Sequence, residues 1–255
     1  MNRRPWTRDE TLVAFNFYCK TPFGRLHARN PEIIALATAL ERTPSAVAMK
    51  CCNLASLDPV QQARGTTGLA KVSRVDREIW ETYRADPENV GFECEVAAAR
   101  ALHKKPEASD AVAWEDVEGL DRNAVTKLRV NQAFFRRTII AAYRGECCVC
   151  VMPIQPLLVA AHIVPWSVDR SLRMNPHNGL CLCVLHDRAY DRGLLRIGRD
   201  YAIGVPRHVK KLANNLAVAR ALIDFEGRCI QLPDRWQPDG ALLERHEHLV
   251  RTATI

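Results

Sequence analysis

The chain has 255 residues, of which 47% are hydrophobic and 25% charged, a balance typical of a globular protein and not of a disordered one. No apolar run approaches the roughly 20 residues that a membrane-spanning helix needs, so we expect no transmembrane segment. Lys and Arg outnumber Asp and Glu by 36 to 29, a basic excess that suits a nucleic-acid partner without establishing one. Ten cysteines and no apolar export segment predict reduced thiols, some available to a metal, in a cytoplasmic protein.

Three helices are predicted in the N-terminal part because each follows a capping sequence. Thr7 and Glu10 form a capping box ahead of a helically spaced apolar run. Asn30 and Thr43 each stand before a proline, which is favoured as the first residue of a helix. The tight break at residues 41–45, between the second and third helix, is typical of a helix-turn-helix arrangement.

The third helix is the candidate reader of a DNA groove. Trp6 and residues 45–53 resemble Myb-like DNA-binding repeats, and a helix-turn-helix domain places its recognition helix in the major groove. That placement would make Ser45, Lys50 and Asn53 the contact residues. The alternative is a plain helical bundle in which Trp6 only fills a core.

A polar linker separates two predicted domains. Residues 103–110 read His-Lys-Lys-Pro-Glu-Ala-Ser-Asp, which is the composition of a linker. We therefore predict a helical DNA-recognition domain over residues 1–105 and a second domain over residues 111–255. The other predicted elements of the first domain are a loop at 61–67 and helices at 76–84 and 92–102.

The second domain is predicted to hold a ββα unit that follows a basic helix. That helix covers residues 131–143 and carries Arg136 and Arg137 directly after its aromatic residues. Two stretches of this domain are basic. Residues 122–144 contain six Lys and Arg and no acidic residue, and residues 188–211 contain seven Lys and Arg and two acidic residues. The later predicted elements are strands at 157–160, 162–164, 194–197 and 201–205 and a short helix at 185–192. The predicted fold class is α+β.

Three polar residues lie in a long motif after the basic helix. His162 stands in Ala-Ala-His-Ile-Val-Pro-Trp, Asn178 in Asn-Gly-Leu-Cys-Leu, and His186 in His-Asp-Arg-Ala-Tyr-Asp-Arg-Gly, at spacings of 16 and 8 residues. This pattern resembles the HNH nucleases over roughly residues 125–250, with the ββα core at about 147–197. The resemblance implies a ββα-metal nuclease domain that hydrolyses phosphodiester bonds with Mg²⁺ or another divalent cation.

The resemblance also implies a role for each residue of the motif. A neutral imidazole accepts a proton near neutral pH, so His162 would be the general base that activates water. Asn178 would hold His162 by hydrogen bonding or support the metal, and His186 would bind the divalent cation. Many family members carry Asp or His before the first histidine, where this chain has Ala161, which binds no metal. The missing ligand would come from Asp187 or Asp191, and the sequence leaves that choice open.

A structural zinc site is a separate possibility. Cys147 and Cys150 form a Cys-x-x-Cys pair, which is typical of zinc ligands. A second pair is available in Cys181 and Cys183, although its Cys-x-Cys spacing is unusual. Cys183 and His186 form a Cys-x-x-His pair instead, but this choice competes with His186 as a ligand of the catalytic metal. Free, packed thiols are the alternative to a zinc site.

The most direct functional reading is a restriction-type endonuclease whose N-terminal domain reads sequence or modification in double-stranded DNA. Arg25 and His27 lie in a mixed aromatic and basic loop that would contact modified DNA. Arg129, Arg136 and Arg137 would contact phosphates, which position a protein without specifying sequence. Cleavage of both strands would favour a homodimer. The alternatives are a non-catalytic DNA-binding regulator with a degenerate nuclease fold and a structural zinc protein with protein partners.

Overall fold

The computed structural model describes residues 4–65, 72–109 and 121–252, with residues 251 and 252 described by backbone only. The chain forms two compact units, Met1–Ala142 and Tyr143–Ile255. No described helix is long and apolar enough to cross a membrane. The architecture is mixed α+β, with helices in the first unit and two short hairpins in the second.

Local capping sets the starts of the N-terminal helices, as the sequence predicts. The Thr7 side chain accepts from the Glu10 backbone N–H while the Glu10 carboxylate accepts from the Thr7 N–H, which completes the capping box. Asn30 and Thr43 cap the next two helices by accepting from the backbone N–H groups of Glu32 and Ala46. The helices of this unit are α1 (Arg8–Lys20), α2 (Pro31–Ala39), α3 (Pro44–Ala55), α4 (Pro59–Ala63), α5 (Arg74–Ala85), α6 (Pro87–Ala101) and α7 (Arg122–Ala142).

The short helix α4 corrects the predicted loop at residues 61–67. Asp58 caps it through the Val60 N–H at 2.9 Å, and Pro59 is its first residue. The loop prediction relied on polar composition and missed this Asp-Pro start signal. Residues 66 and 67 of the predicted loop lie outside the described part of the chain.

The core of the first unit explains why its boundary differs from the predicted linker. Phe15 of α1 packs edge-on against Trp80 and Tyr83 of α5, at ring-centroid distances of 6.0 and 5.0 Å. Phe134 of α7 joins the same aromatic cluster through Tyr83 at 6.3 Å. The basic helix therefore packs with the N-terminal helices, and the unit ends at Ala142. Residues 103–109 contain no helix or strand, and residue 110 is outside the described ranges.

The second unit is built on one antiparallel hairpin and the helix that follows it. Strand β1 (Leu158–His162) pairs with β2 (Gly179–Cys183) so that Leu158 faces Cys183 and His162 faces Gly179. Helix α8 (Val184–Asp191) starts at once after β2 and contacts both strands, which gives the predicted ββα unit.

The sequence prediction lacks strand β2 and instead places a strand at residues 162–164, but β1 ends at His162 and residues 163 and 164 form a bend. All five residues of β2 are buried, so it lacks the alternating pattern that identifies a half-buried strand. The predicted second strand pair does form, as β3 (Arg196–Ile197) and β4 (Ile203–Gly204). The remaining helices are α9 (Arg207–Lys210), α10 (Leu216–Ala221) and α11 (Gly240–Thr252).

Candidate metal centre and active site

Three cysteines and one histidine converge at one end of the hairpin. The ligand atoms of Cys147, Cys150, Cys183 and His186 all lie within 4.8 Å of one another. The His186 Nδ1 is 3.1 Å from the Cys183 Sγ and 3.6 Å from the Cys147 Sγ, and the Cys150 and Cys183 Sγ atoms are 3.9 Å apart. These distances bring the four side chains around one point.

Two short sequence pairs supply the four ligands. In the loop after α7, the Val151 N–H donates to the Cys147 carbonyl, which folds Cys147 and Cys150 into one turn. Cys183 ends β2, and His186 lies in the first turn of α8. Residues three apart on a helix lie on the same side, so both side chains reach the cluster.

The second nitrogen of His186 is also engaged. Its Nε2 lies 2.9 Å from the Ala221 carbonyl oxygen, which only accepts hydrogen bonds, so Nε2 carries the proton. In the tautomer with the proton on Nε2, the Nδ1 lone pair faces the thiols. A metal-binding histidine is commonly fixed in this way by an outer hydrogen bond. With both nitrogens engaged, His186 has no ring nitrogen left for a second cation, which corrects the catalytic-metal role predicted for it.

The donor set fits zinc. Zinc favours four ligands in a tetrahedron, with zinc–sulfur bonds near 2.3 Å, so two bound sulfurs lie about 3.8 Å apart. The Cys150 and Cys183 sulfurs are separated by 3.9 Å. Burial raises the pKa of the Cys150 thiol to about 12, so this thiol is protonated until a metal displaces its proton.

Cys181 is not among the clustered ligands, which corrects the second pair predicted from sequence. It lies opposite Ala160 in the middle of the hairpin and is fully buried. Its backbone carbonyl accepts from the Cys148 N–H at 2.7 Å. The ligands come from the turn and from the end of β2, so the Cys-x-x-His spacing of Cys183 and His186 was the correct signal.

His162 occupies the other end of the same hairpin. Residues paired across strands share a face, and side chains alternate along a strand, so His162 and Cys183 lie on the same face of the hairpin. The four residue steps from Leu158 to His162 span about 13 Å, at about 3.3 Å per residue. The structure therefore separates the predicted base from the cluster that contains His186.

The imidazole of His162 is held by a backbone carbonyl and an aromatic ring. Its Nε2 lies 2.9 Å from the Arg173 carbonyl oxygen, which fixes the proton on Nε2 in the neutral ring and leaves Nδ1 as the basic nitrogen. The ring stacks on Trp166 with an interplanar angle of 8°. The Arg173 guanidinium lies over the same indole, with its Cζ 4.2 Å from the ring centroid.

The surroundings of His162 keep it neutral. Burial lowers the pKa of His162 most strongly, and the nearby Arg173 guanidinium lowers it further, while the hydrogen bond to the Arg173 carbonyl acts in the opposite direction. The net shift is downward. A neutral imidazole at physiological pH is the protonation state that a general base requires.

Asn178 acts on the backbone next to His162 and not on its ring. The fully buried Asn178 side chain accepts from the Val164 N–H at 2.8 Å and donates to the Val164 and Leu172 carbonyls at 3.0 and 3.2 Å. These bonds tie Asn178 to the start of the loop between β1 and β2 and to Leu172, the residue before Arg173. The predicted direct hydrogen bond to His162 is replaced by the Arg173 carbonyl, and nothing in the sequence pattern signalled that carbonyl.

Two carboxylates follow His186 on helix α8. Asp187 and Asp191 are one helical turn apart, so they share a side of the helix. Burial raises the pKa of Asp187 to about 6, and the Asp191 charge raises it further in the same direction. Burial also raises the pKa of Asp191. A cation bound between them would relieve this unfavourable pairing of charges.

Helix α3 places two of the predicted DNA contacts inside the helical unit. The Lys50 ammonium forms a 2.6 Å ion pair with Asp76 of α5, and both side chains are buried. Lys50 also lies 4.8 Å from the Trp6 ring. Asn53 is 7% exposed. Both residues lie on the packed side of the helix, which corrects their prediction as groove contacts.

The remaining predicted contacts lie closer to solvent. Ser45, Arg25 and His27 are exposed, and Arg25 forms an exposed ion pair with Glu32 at 3.3 Å. On α7, Arg129 is exposed, Arg136 is half-buried, and Arg137 binds Glu107 at 2.9 Å. All of these residues belong to the first compact unit, whereas His162 belongs to the second.

Residues 147–197 match the model of a protein family described as HNH endonuclease. This segment contains three of the structural features described above: the metal-ligand cluster, the β1–β2 hairpin and helix α8. The match covers about a fifth of the chain and agrees with the HNH-type nuclease domain that the motif around His162 predicts. The family is one of metal-dependent nucleases, which implies a nucleic-acid substrate. No curated protein matches the chain.

Proposed function

We propose that the protein is a divalent-metal-dependent DNA endonuclease in which His162 is the general base. The observation that carries this proposal is the tautomer of His162: Nε2 is committed to the Arg173 carbonyl, so the lone pair is on Nδ1. The lowered pKa of His162 keeps that nitrogen unprotonated at neutral pH. In the hydrolysis, Nδ1 takes the proton of the attacking water, and the Arg173 carbonyl stabilises the resulting imidazolium through Nε2.

We assign the catalytic cation to Asp187 and Asp191 and not to His186. Mg²⁺ prefers oxygen ligands and is often bound by one or two carboxylates with water, which fits this pair. When bound, such a cation stabilises the charge that develops on the phosphate and the leaving oxygen. The zinc-type cluster would have a structural role, because its four protein ligands leave no open position for substrate.

The finer features of the proposal concern substrate and biological role. The helical unit is the candidate reader of sequence or modification in double-stranded DNA, with Arg25, His27 and Ser45 as exposed contact residues. A restriction-type role follows from this layout, and a homodimer would be needed if one site per chain is to cut both strands. Three reduced metal-binding thiols are compatible with the cytoplasm.

Plasmid nicking in the presence of Mg²⁺ or Mn²⁺ tests the catalytic proposal. His162→Ala should abolish nicking and leave DNA binding intact, whereas His177→Ala, which changes an exposed histidine, should nick at the wild-type rate. Asp187→Asn with Asp191→Asn should also abolish nicking, with Asp200→Asn as the matched exposed control. Nicking that survives His162→Ala would contradict the role of His162, and nicking that survives the double carboxylate change would contradict the cation assignment.

A non-catalytic DNA-binding regulator is the second candidate. Two observations favour it: Ala161 supplies no metal ligand, and His186 is engaged in the cysteine cluster. Wild-type protein that binds DNA but cuts neither plain nor modified duplexes across several divalent metals would support this alternative.

A further inference from the structure

A long excursion leaves the second hairpin of the C-terminal unit. We call residues 205–226 the arm. Its two ends meet: the Ile203 N–H donates to the Arg228 carbonyl at 2.8 Å, and the Gly227 N–H donates to the Ile203 carbonyl at 2.8 Å. The Glu226 carboxylate accepts from the Val205 N–H and from the Lys210 ammonium, which closes the base of the arm. The arm lies beyond the segment that matches the nuclease family.

The arm carries positive charge and exposed apolar side chains together. Residues 205–222 contain four Lys and Arg and no acidic residue. Arg207, Lys211 and Arg220 are exposed, and none of them forms an ion pair within the described part of the chain. Leu212 and Leu216 are 54% and 63% exposed, the highest values among the large hydrophobic residues for which exposure is described.

The arm is attached to the metal centre at its far end. The Ala221 carbonyl accepts the hydrogen bond from the His186 Nε2 at 2.9 Å. Phe225 packs edge-on against the same imidazole at a centroid distance of 5.3 Å. Buried Val209 anchors the near end of the arm. Because the arm is held at these points, its exposed basic and apolar side chains have fixed positions on the surface of the second unit.

We infer that the arm is a second DNA-contact surface, in which its cations bind backbone phosphates and Leu212 and Leu216 pack against a groove. This inference rests on the proposed nuclease function. Lys210 is paired with Glu226 at the base of the arm, but Arg207, Lys211 and Arg220 are exposed cations that complement the phosphate backbone. Exposed apolar side chains among cations are also used by proteins that insert wedges into the minor groove. A protein partner would need compensating acidic residues, so duplex DNA is the occupant that the charge favours.

Duplex binding by the full-length His162→Ala protein tests the arm separately from catalysis. Arg207→Ser with Lys211→Ser should weaken binding roughly tenfold and lower the slope of log affinity against log salt by about two, because each lost phosphate contact removes about 0.9 from that slope. Lys104→Ser with Lys105→Ser removes the same charge from exposed residues elsewhere and should leave binding nearly unchanged. Leu212→Ser with Leu216→Ser should weaken binding without a change of slope, whereas Ile34→Ser with Ile154→Ser should not.

The outcomes separate the arm from the nuclease proposal. Thermal melting checks that each variant is folded before binding is measured. If folded arm variants bind like the His162→Ala parent while the wild type nicks DNA, the arm inference is wrong and the nuclease proposal stands. If the charge variant and the leucine variant both bind duplex DNA more weakly as expected, and their control variants bind normally, the arm is a DNA-contact surface. If the wild type neither binds nor nicks DNA, both proposals are overturned.

Discussion

His162 is controlled by groups that come from one short loop. Trp166 stacks on its ring, and Arg173 provides both the carbonyl that fixes Nε2 and a guanidinium that disfavours a positive imidazole. The loop therefore sets the orientation, the tautomer and the charge of the proposed base. Each of these effects can be changed without touching the imidazole itself.

Arg173→Gln should raise the pKa of His162, because it removes the nearby positive charge but keeps the backbone carbonyl. Activity depends on the neutral imidazole, so the acid limb of the nicking profile should move to higher pH. A nuclear magnetic resonance titration of the His162 ring measures the same shift without catalysis. Arg170→Gln, which changes an exposed arginine of the same loop, is the control. An unchanged or lowered His162 pKa in Arg173→Gln would refute this electrostatic role.

Asn178→Ala should destabilise the second unit by about 2–3 kcal/mol, because it leaves the buried Val164 amide groups without their partners. It should also reduce nicking at temperatures where the protein is folded, since the loop that orients His162 loses its fastening. Chemical denaturation and nicking of the same preparation measure the two effects. Asn175→Ala, which removes only the cap of a short turn, should cost about 1 kcal/mol. Full activity in folded Asn178→Ala would show that the loop does not depend on this amide.

The sequence predicts that helix α3 forms, but not which of its sides faces the core. Its cap and its length follow the sequence, yet Lys50 turns inward to the buried Asp76 and to Trp6. The outward side carries Ser45 and Met49 instead. A basic residue on a helix is most often exposed, and only the position of α5 explains why this one is not.

Helix α11 is joined to α8 by a stacked pair of rings. His246 lies on Tyr190 with a centroid distance of 3.8 Å and an interplanar angle of 11°, and it is 4% exposed. Burial lowers the pKa of His246 to about 4, although Glu247 acts in the opposite direction. The folded protein therefore holds this histidine neutral where the unfolded chain would protonate it.

This contact makes the second unit sensitive to acid. Between about pH 6.5 and pH 4 the unfolded state takes up a proton that the folded state does not, so stability falls as the pH falls, by up to about 3 kcal/mol. His246→Phe keeps a ring on Tyr190 and removes the titration, so its stability should depend less on pH in this window. Denaturation midpoints at several pH values measure the effect, with exposed His208→Gln as control. Equal pH dependence in wild type and His246→Phe would contradict the prediction.

At the level of the whole chain, the metal centre belongs to only one of the two compact units. All four clustered ligands come from residues after Tyr143. They come from the turn before β1, the end of β2 and the start of α8, so a bound metal would hold these three segments of the second unit together. The first unit instead depends on its aromatic core and its capped helices.

Removal of the metal should therefore destabilise the second unit selectively. A structural zinc contributes directly to folding, so a chelator should lower protection from hydrogen exchange in β1, β2 and α8 and leave α1 to α3 unchanged. Cys183→Ser should reproduce this effect and lower the bound zinc measured by elemental analysis. Cys181→Ser, on the same strand and face, should retain zinc. Equal zinc contents in the two variants would contradict the ligand assignment.

The sequence alone determined the features that depend on neighbouring residues. Thr7, Asn30 and Thr43 fix helix starts because a cap is a hydrogen bond within one turn, and the motif around His162 carries the family because its residues are close along the chain. The Cys-x-x-Cys pair was visible for the same reason. These signals were enough to predict the α+β class and the ββα core.

Only the tertiary structure decided which distant groups meet. It brought the Cys-x-x-Cys pair, Cys147 and Cys150, together with Cys183 and His186. It also placed the Arg173 carbonyl against His162 and turned Lys50 toward Asp76. It also revealed β2, whose fully buried residues show no alternation. Such contacts depend on how separate elements pack. The sequence shows which residues are present, but not which residues of distant elements come into contact.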